Sequence, residues 1–265
     1  MAFSTGAIGY NGTLNELSSY RMRGVNRPII RRKGGPRAEH VKHNDNFENT
    51  RRNNSEWKGS IAAAKQVRQA MHPVLHLSDF NYTGTLNAVC KKIQQADGVS
   101  DWGRRSFLLS QNAHQLAGFS INKFNSFEQI LRHPLQLVVQ RTSASVQVLL
   151  PELLPGINLV NTAQHPMYQF VFSLGAVADM VYNATWKRYD PIHPHLPYPA
   201  ITYTPWQWAN KPAAAATINL VLNNWQEQEG ISLLFSAGIA FGIPDGPNNV
   251  HYVKYSGAAK LVTVF

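Results

Sequence analysis

Residues 231–241 have the sequence ISLLFSAGIAF and are the longest of a series of strand-like segments that begins after Arg105. In these segments apolar residues either run continuously or alternate with polar ones, and alternation with a period of two is typical of β-strands. Proline and glycine residues, such as Pro151 and Gly175, separate the segments and mark turns. The segments are residues 115–121, 136–139, 146–150, 156–159, 168–174, 180–182, 201–203, 218–222, 231–241, 250–255 and 260–265.

Many short strands with turn signals between them predict a mainly β fold, an antiparallel β-sandwich of the Ig-like or jelly-roll-like kind. A parallel sheet is not expected, because strands and helices do not alternate along this part of the chain. The sandwich is predicted to fill residues 105–265, as one sandwich or two. Residues 190–199, DPIHPHLPYP, are expected to cross a surface in polyproline II geometry.

A short helical pair is predicted ahead of the sandwich, within residues 37–104. Ser55 is a good N-cap for a first helix over residues 57–71, which His72-Pro73 would end. A second helix is predicted over residues 85–96, and each helix has one apolar stripe that needs a partner. Residues 37–54 are almost wholly polar, so we expect them to be disordered or to form only short helical turns.

Residues 1–36 are predicted to form an extended basic arm with a β-hairpin, whose strands at residues 19–23 and 27–33 flank Gly24-Val25-Asn26. Of the 25 lysines and arginines, 13 lie in residues 1–70, which contain only 5 of the 15 acidic residues. A basic arm on a nearly neutral body can bind nucleic acid, an anionic surface or an acidic neighbour.

The composition favours contacts between subunits. Only 15% of the residues are charged, well below the roughly 25% of ordinary domains. Uncharged polar and aromatic residues therefore cover the surface, as they do at interfaces between proteins.

Residues 1–54 contain too few apolar side chains to form a hydrophobic core of their own, yet they include the apolar pair Ile29-Ile30. We therefore expect it to become ordered on another copy, by strand addition or by wrapping. If that contact does not close into a ring, the product is a filament or a tube. The residues expected to form this assembly arm are Arg21, Arg23, Ile29, Ile30, Arg31, Arg32, Phe47 and Trp57.

The sequence contains no motif that predicts an enzyme. It has no glycine-rich phosphate loop and no Gly-x-Ser-x-Gly elbow. Its single cysteine, Cys90, excludes a disulfide within the chain and is expected to be a small buried residue on a helix. His193 and His195 have no acidic or cysteine partner at a convincing spacing, so neither a metal nor a cofactor is expected. Two routes to catalysis stay open, a Cys90 thiolate and two carboxylates that the fold brings together.

Two alternatives to a structural subunit stay open. The first is a coat or packaging protein that binds nucleic acid through the basic arm. The second is a carbohydrate-binding sandwich that presents Trp206 and Trp208 to a ligand. No apolar stretch predicts a membrane span and no signal peptide is recognisable. Synthesis in the cytoplasm is therefore expected, and the cellular address stays open, with release in an extracellular assembly as one route.

Several short motifs resemble an uncharacterised family of proteins from the Bacteroidota. They are Lys33-Gly34-Gly35-Pro36, then Phe47-x-x-Thr50-Arg51-x-Asn53-x-x-Glu56, and Gly118-Phe119-x-x-Asn122 further on. The C-terminal half is similar too, in Gly238-Ile239-x-Phe241 and in the final alanine-rich strand. The resemblance implies a shared architecture with a β-rich C-terminal region, and it offers no catalytic residue.

Overall fold

The structure is a computed structural model, and it describes residues 2–3, 11–22, 25–32, 34–161, 163–246 and 249–265. The fold is mainly β and its sheets are antiparallel, as the sequence predicts. The chain divides into two compact units, Met1–Arg51 and Arg52–Phe265. The division predicted after residues 36 and 104 stays a prediction.

The helices and strands of the described residues have the following bounds. The α-helices are α1 (Ala38–His43), α2 (Glu48–Ala70), α3 (Thr83–Gln95) and α4 (Phe127–Ile130), and 3₁₀ turns lie at Asp45–Phe47, His72–Leu77, Leu109–Gln111 and Ala113–Gln115. The strands are β1 (Ala2–Phe3), β2 (Gly12–Leu14), β3 (Leu17–Tyr20), β4 (Ile29–Arg32), β5 (Gln136–Gln140), β6 (Ser145–Leu150), β7 (Met167–Ala178), β8 (Met180–Asn183), β9 (Arg188–Pro191), β10 (Ala200–Tyr203), β11 (Gln207–Trp208), β12 (Ala216–Val221), β13 (Ile231–Pro244), β14 (Val250–Tyr252) and β15 (Ala258–Val264).

The first unit contains a four-stranded sheet in the order β1-β4-β3-β2. Strands β3 and β4 pair over Leu17–Tyr20 and Ile29–Arg32, so they are shorter than the predicted hairpin strands. A second hairpin, which the sequence analysis did not find, joins β2 to β3 through a two-residue turn. Asn15 takes a positive φ of 49° in that turn, a conformation that asparagine tolerates better than most residues.

The predicted start of the first long helix at Ser55 is wrong, because α2 begins at Glu48. The polar residues before α2 also form helical turns, because hydrogen-bond donors for their backbone carbonyl groups lie nearby. The Arg51 guanidinium donates to the carbonyl oxygens of Val41 (2.9 Å) and Asn44 (2.8 Å). Local hydrogen bonds of this kind can hold helical turns where few apolar side chains are available.

Two long strands, β7 and β13, form the centre of the second unit. They pair antiparallel from Met167↔Gly242 to Ala178↔Ile231 and are buried on both faces. Side chains alternate across a strand, so Leu233 and Phe235 of β13 join one hydrophobic cluster while Leu234 joins the other. Burial on both faces explains the nearly continuous apolar sequence of these strands.

Each face of the long strands is covered by different elements. One cluster contains side chains of the three-stranded sheet β12-β6-β5, and the other contains side chains of α2 and α3. Strands β10, β11, β14 and β15 complete the sheet of β7 and β13, and β8 pairs with β9. The helices thus cover one face of the sheet, and the sandwich type stays a prediction.

Two of the predicted strands, at residues 115–121 and 156–159, are wrong. Each contains a glycine with a positive φ, Gly118 (81°) and Gly156 (76°), which turns the backbone out of an extended path. Only isolated bridges remain there, such as the bridge between Ser120 and Lys260.

Candidate functional site

The arginines of the predicted assembly arm lie on the surface of the first unit. Arg21 is exposed directly after β3, and Arg31 and Arg32 are exposed on β4. The Arg32 guanidinium forms an ion pair with the Glu16 carboxylate at 2.6 Å, and the Arg31 guanidinium lies 5.5 Å from the centre of the Tyr20 ring. Arg31 and Arg32 therefore already have partners within the same unit. The predicted residue Arg23 lies outside the described residues.

The predicted pair Ile29 and Ile30 is split between the two faces of β4. Ile29 is buried and Ile30 is half-buried, as alternation along a strand requires. Among residues 11–22, 25–32 and 34–51, Ile29 is the only buried apolar side chain. The hydrophobic core of this part of the unit is therefore very small.

An exposed apolar pair occupies the tip of the β2–β3 hairpin, and the sequence analysis missed it. Leu14 and Leu17 face each other across the turn and are 61% and 45% exposed. Strand β2 is the edge of the sheet and pairs only with β3 among the described residues. An open edge beside exposed apolar residues is a common template for pairing with another chain. The short sequence Leu14-Asn15-Glu16-Leu17 was the available signal, although it lacks the glycine of a strong hairpin turn.

The two aromatic residues predicted for the arm fall in different units. Phe47 is half-buried in a 3₁₀ turn of the first unit. Trp57 lies on α2 in the second unit, and 44% of its surface is exposed.

Trp206 lies just before β11 and Trp208 lies in it, and the environments of the two side chains differ. Trp206 is half-buried against the helix-side cluster, next to Gly242, where an added Cβ would lie 2.9 Å from its ring. Trp208 is 45% exposed, with the ammonium of Lys211 5.9 Å from its ring centre. One exposed ring is a small platform for a sugar chain.

Glu56 is a fully buried carboxylate on the apolar face of α2. It accepts hydrogen bonds from Arg105 (Nε, 2.7 Å; Nη2, 3.0 Å), from the backbone N–H of Gly103 (2.8 Å) and from Lys91. Burial alone would raise the pKa of Glu56, but these donors outweigh burial and lower the pKa below its ordinary value. Glu56 is therefore an ionised structural anchor, and both of its carboxylate oxygens already accept hydrogen bonds.

The sequence analysis named Glu56 only as the last residue of the motif that begins at Phe47. The structure places it in the interior of α2, on the same face as Ser60, Ala63 and Val67. An acidic residue at helical spacing from a buried stripe was the signal that could have identified this anchor.

Two other titratable groups have burial-dependent pKa values. Burial raises the pKa of the Cys90 thiol to about 12, so the thiol is neutral and a poor nucleophile at neutral pH. Burial also raises the pKa of Asp179, against the hydrogen bonds that its carboxylate accepts from the hydroxyl (2.5 Å) and N–H (3.0 Å) of Ser110.

The histidines of the proline-rich segment are not part of a metal-ligand cluster in the described residues. His193 Nε2 lies 3.0 Å from the carbonyl oxygen of Glu229. The described chain contains no group of three or more histidine, cysteine or acidic residues that could hold a metal ion.

Within the described ranges, no helix has the length and apolar character needed to cross a membrane. Comparisons with protein-family models, with curated proteins and with solved structures find no match to the chain.

Proposed function

We propose that the protein is a non-enzymatic structural subunit that self-assembles through its N-terminal unit into a filament, a tube or a particle. The observation that carries this proposal is the small core of Met1–Arg51, in which residues 11–22, 25–32 and 34–51 bury a single apolar side chain, Ile29. Full burial of one such side chain stabilises a fold by about 1.5–3 kcal/mol. Ordering the backbone costs about 1–2 kcal/mol for each residue. Docking onto a second copy would supply the burial that the unit lacks.

The β2–β3 hairpin is the surface that we assign to this contact. Leu14 and Leu17 are exposed at its tip, and the backbone of β2 has an unpaired edge among the described residues. A strand from another copy would pair with this edge through main-chain hydrogen bonds, and the two leucines would be covered.

The arginine contacts support a protein partner more than nucleic acid. Arg32 is paired with Glu16, so a phosphate group would have to compete with a carboxylate for this guanidinium. Arg31 lies against Tyr20 in the same sheet. Both side chains therefore already have contacts within their own sheet.

We also propose that the β-rich part of the second unit is a sandwich. The sheet β12-β6-β5 shares a hydrophobic cluster with the long strands β7 and β13, which supports two sheets packed face to face. The Ig-like or jelly-roll-like character, and the resemblance to the Bacteroidota family, stay predictions.

The self-assembly proposal is tested with Leu14→Lys. Static light scattering and negative-stain electron microscopy would compare the wild type, Leu14→Lys and the control Val99→Lys. Val99 is 98% exposed in the second unit, so the control makes the same kind of change away from the hairpin. We expect assemblies for the wild type and Val99→Lys, and monomers for Leu14→Lys. A monomeric wild type at high concentration, or equal assembly of all three proteins, would overturn the proposal.

A further inference from the structure

The second unit contains a large open cleft beside the edge of its main sheet. Strand β10 pairs with β7 only as far as Ala200↔Leu174, while β7 continues to Ala178. The uncovered end of β7 leaves a space of about 1320 Å³ between the C-terminal half of α2 and the proline-rich segment before β10. This volume exceeds the roughly 300–1,000 Å³ that is usual for small-ligand sites, so it has room for a ligand with more than one ring.

Among the described residues, Lys65 is the one formally charged side chain that lines this cleft, and no aspartate or glutamate lines it. His72 and His76 on the helical side and His193 on the proline-rich side add ring nitrogens that can form hydrogen bonds with an anion. A cationic group in a wall without carboxylates concentrates anions and disfavours cations. The charge of the walls therefore fits an anionic ligand.

The other lining groups fit a ligand with rings. Tyr198 and Tyr203 are 95% and 51% exposed at the cleft, so their ring faces are accessible for stacking. Gln69 offers an amide on the helical wall, and the floor is held in place by Gln66, whose Oε1 accepts from the N–H of Ala178 at 3.2 Å. The prolines of the opposite wall have few conformations to lose on binding, which lowers the entropic cost of association.

We propose that this cleft binds an anionic ligand that carries sugar or base rings. Its phosphate or carboxylate group would bind Lys65 and His72, and its rings would stack on Tyr198 and Tyr203. Nucleotides and oligosaccharides of uronic acids share this chemistry. The cleft and the β2–β3 hairpin have no residue in common, so this proposal does not depend on the self-assembly proposal.

Isothermal titration calorimetry of the full chain tests the proposal with adenosine monophosphate and with trigalacturonate. Adenosine and maltotriose serve as the matched uncharged ligands. We expect at least one of the two anions to bind saturably and its uncharged counterpart to bind at least tenfold more weakly, since a hydrogen bond to a charged group is worth about 1.5–3 kcal/mol. Binding of the first anion alone would assign nucleotides, and binding of the second alone would assign acidic sugars.

Two pairs of variants locate the binding. Lys65→Gln is expected to weaken binding of the anion about tenfold, whereas Lys58→Gln, on the same helix but outside the cleft, should leave it unchanged. Tyr198→Ser should weaken binding about fivefold or more by removing a stacking ring, whereas Phe124→Ser, which removes another exposed ring, should not. The proposal is wrong if neither anion binds at millimolar concentration, if the uncharged ligands bind equally well, or if the control variants lose as much affinity as the cleft variants.

Discussion

Gly175 of β7 lies directly against the backbone of Ala70 at the end of α2. A Cβ atom placed on Gly175 would be 2.6 Å from the carbonyl oxygen of Ala70 and 2.7 Å from its Cα. The hydroxyl of Ser173, two residues earlier on the same face of the strand, donates to the same carbonyl oxygen at 3.3 Å. The helix can approach the sheet this closely only because the strand presents small residues there.

Gly175→Ala is therefore expected to destabilise the second unit. The added methyl group would collide with backbone atoms, and overpacking of this kind costs about 1–3 kcal/mol. Thermal unfolding followed by circular dichroism would measure the loss. The matched control is Gly84→Ala in α3, where nothing lies within 4 Å of the added Cβ. That change should be neutral or stabilise by up to about 1 kcal/mol. Equal unfolding temperatures for Gly175→Ala and the wild type would contradict this packing.

Glu56→Gln is expected to lower the free energy of unfolding by about 3 kcal/mol, the low end for breaking a buried ion pair. The low end applies because the side chains of Lys91 and Arg105 are 18% and 22% exposed. Water can therefore partly solvate these two cations when the carboxylate is removed. Urea unfolding at neutral pH would measure the change. Glu152→Gln removes an exposed carboxylate from the same unit, and we expect almost no effect from it. A similar loss in both variants would show that net charge, and not the buried anchor, is responsible.

The contribution of Glu56 should also depend on pH in a defined direction. Its pKa in the folded protein is lower than its ordinary value of 4.5, because the donors around it outweigh the effect of burial. The stabilisation is therefore complete above about pH 4.5 and is lost as the pH falls through the folded pKa. The difference in unfolding free energy between the wild type and Glu56→Gln should stay constant from pH 7 to about pH 5 and shrink at lower pH. A difference that grows on acidification would contradict an ionised Glu56.

The long strands could be predicted from the sequence, whereas the start of α2 could not. Residues 231–241 are apolar apart from Ser232 and Ser236, and such a run can be identified as a buried strand without knowledge of the rest of the fold. The first turns of α2 are polar, and their packing comes from distant residues. Gly103, with φ +99°, lies against the side chain of Arg52, where an added Cβ would be 2.9 Å from the Arg52 Cβ. The partners of Glu56 are equally distant in sequence, so only the fold reveals the anchor.

The surface that we propose for assembly could be identified from the sequence only in part. The basic and polar composition directed attention to the front of the chain, but Arg32 there is paired with Glu16 and Arg31 lies against Tyr20. Leu14 and Leu17 escaped notice because isolated leucines in a polar stretch carry no periodic signal. Their exposure becomes visible only when the register of β2 and β3 places them side by side.

Cys90 is expected to be unreactive in the folded protein. Its thiol is fully buried on α3, and burial raises its pKa to about 12, so almost no thiolate is present at pH 8. The reaction with a disulfide reagent such as dithionitrobenzoate should be slow and limited by unfolding. The control is the same protein in concentrated urea, where the thiol should react completely within minutes. Rapid labelling of the native protein would contradict the burial of Cys90 and reopen a catalytic role for the thiol.

Thr13→Pro provides a test of strand addition that leaves the exposed leucines in place. The pair Leu14 and Leu17 closes a two-residue turn and is therefore the hydrogen-bonded pair. The N–H of Thr13, in the neighbouring pair, thus points toward the edge of β2 that has no partner strand among the described residues. Proline removes that N–H and is tolerated on an edge strand, so it should block an added strand and leave the hairpin intact. Thr13→Val keeps the N–H and favours a strand, so it should assemble like the wild type. Sedimentation velocity would separate monomers from assemblies. Assembly of Thr13→Pro at the wild-type level would show that copies of this chain do not join by main-chain pairing at β2.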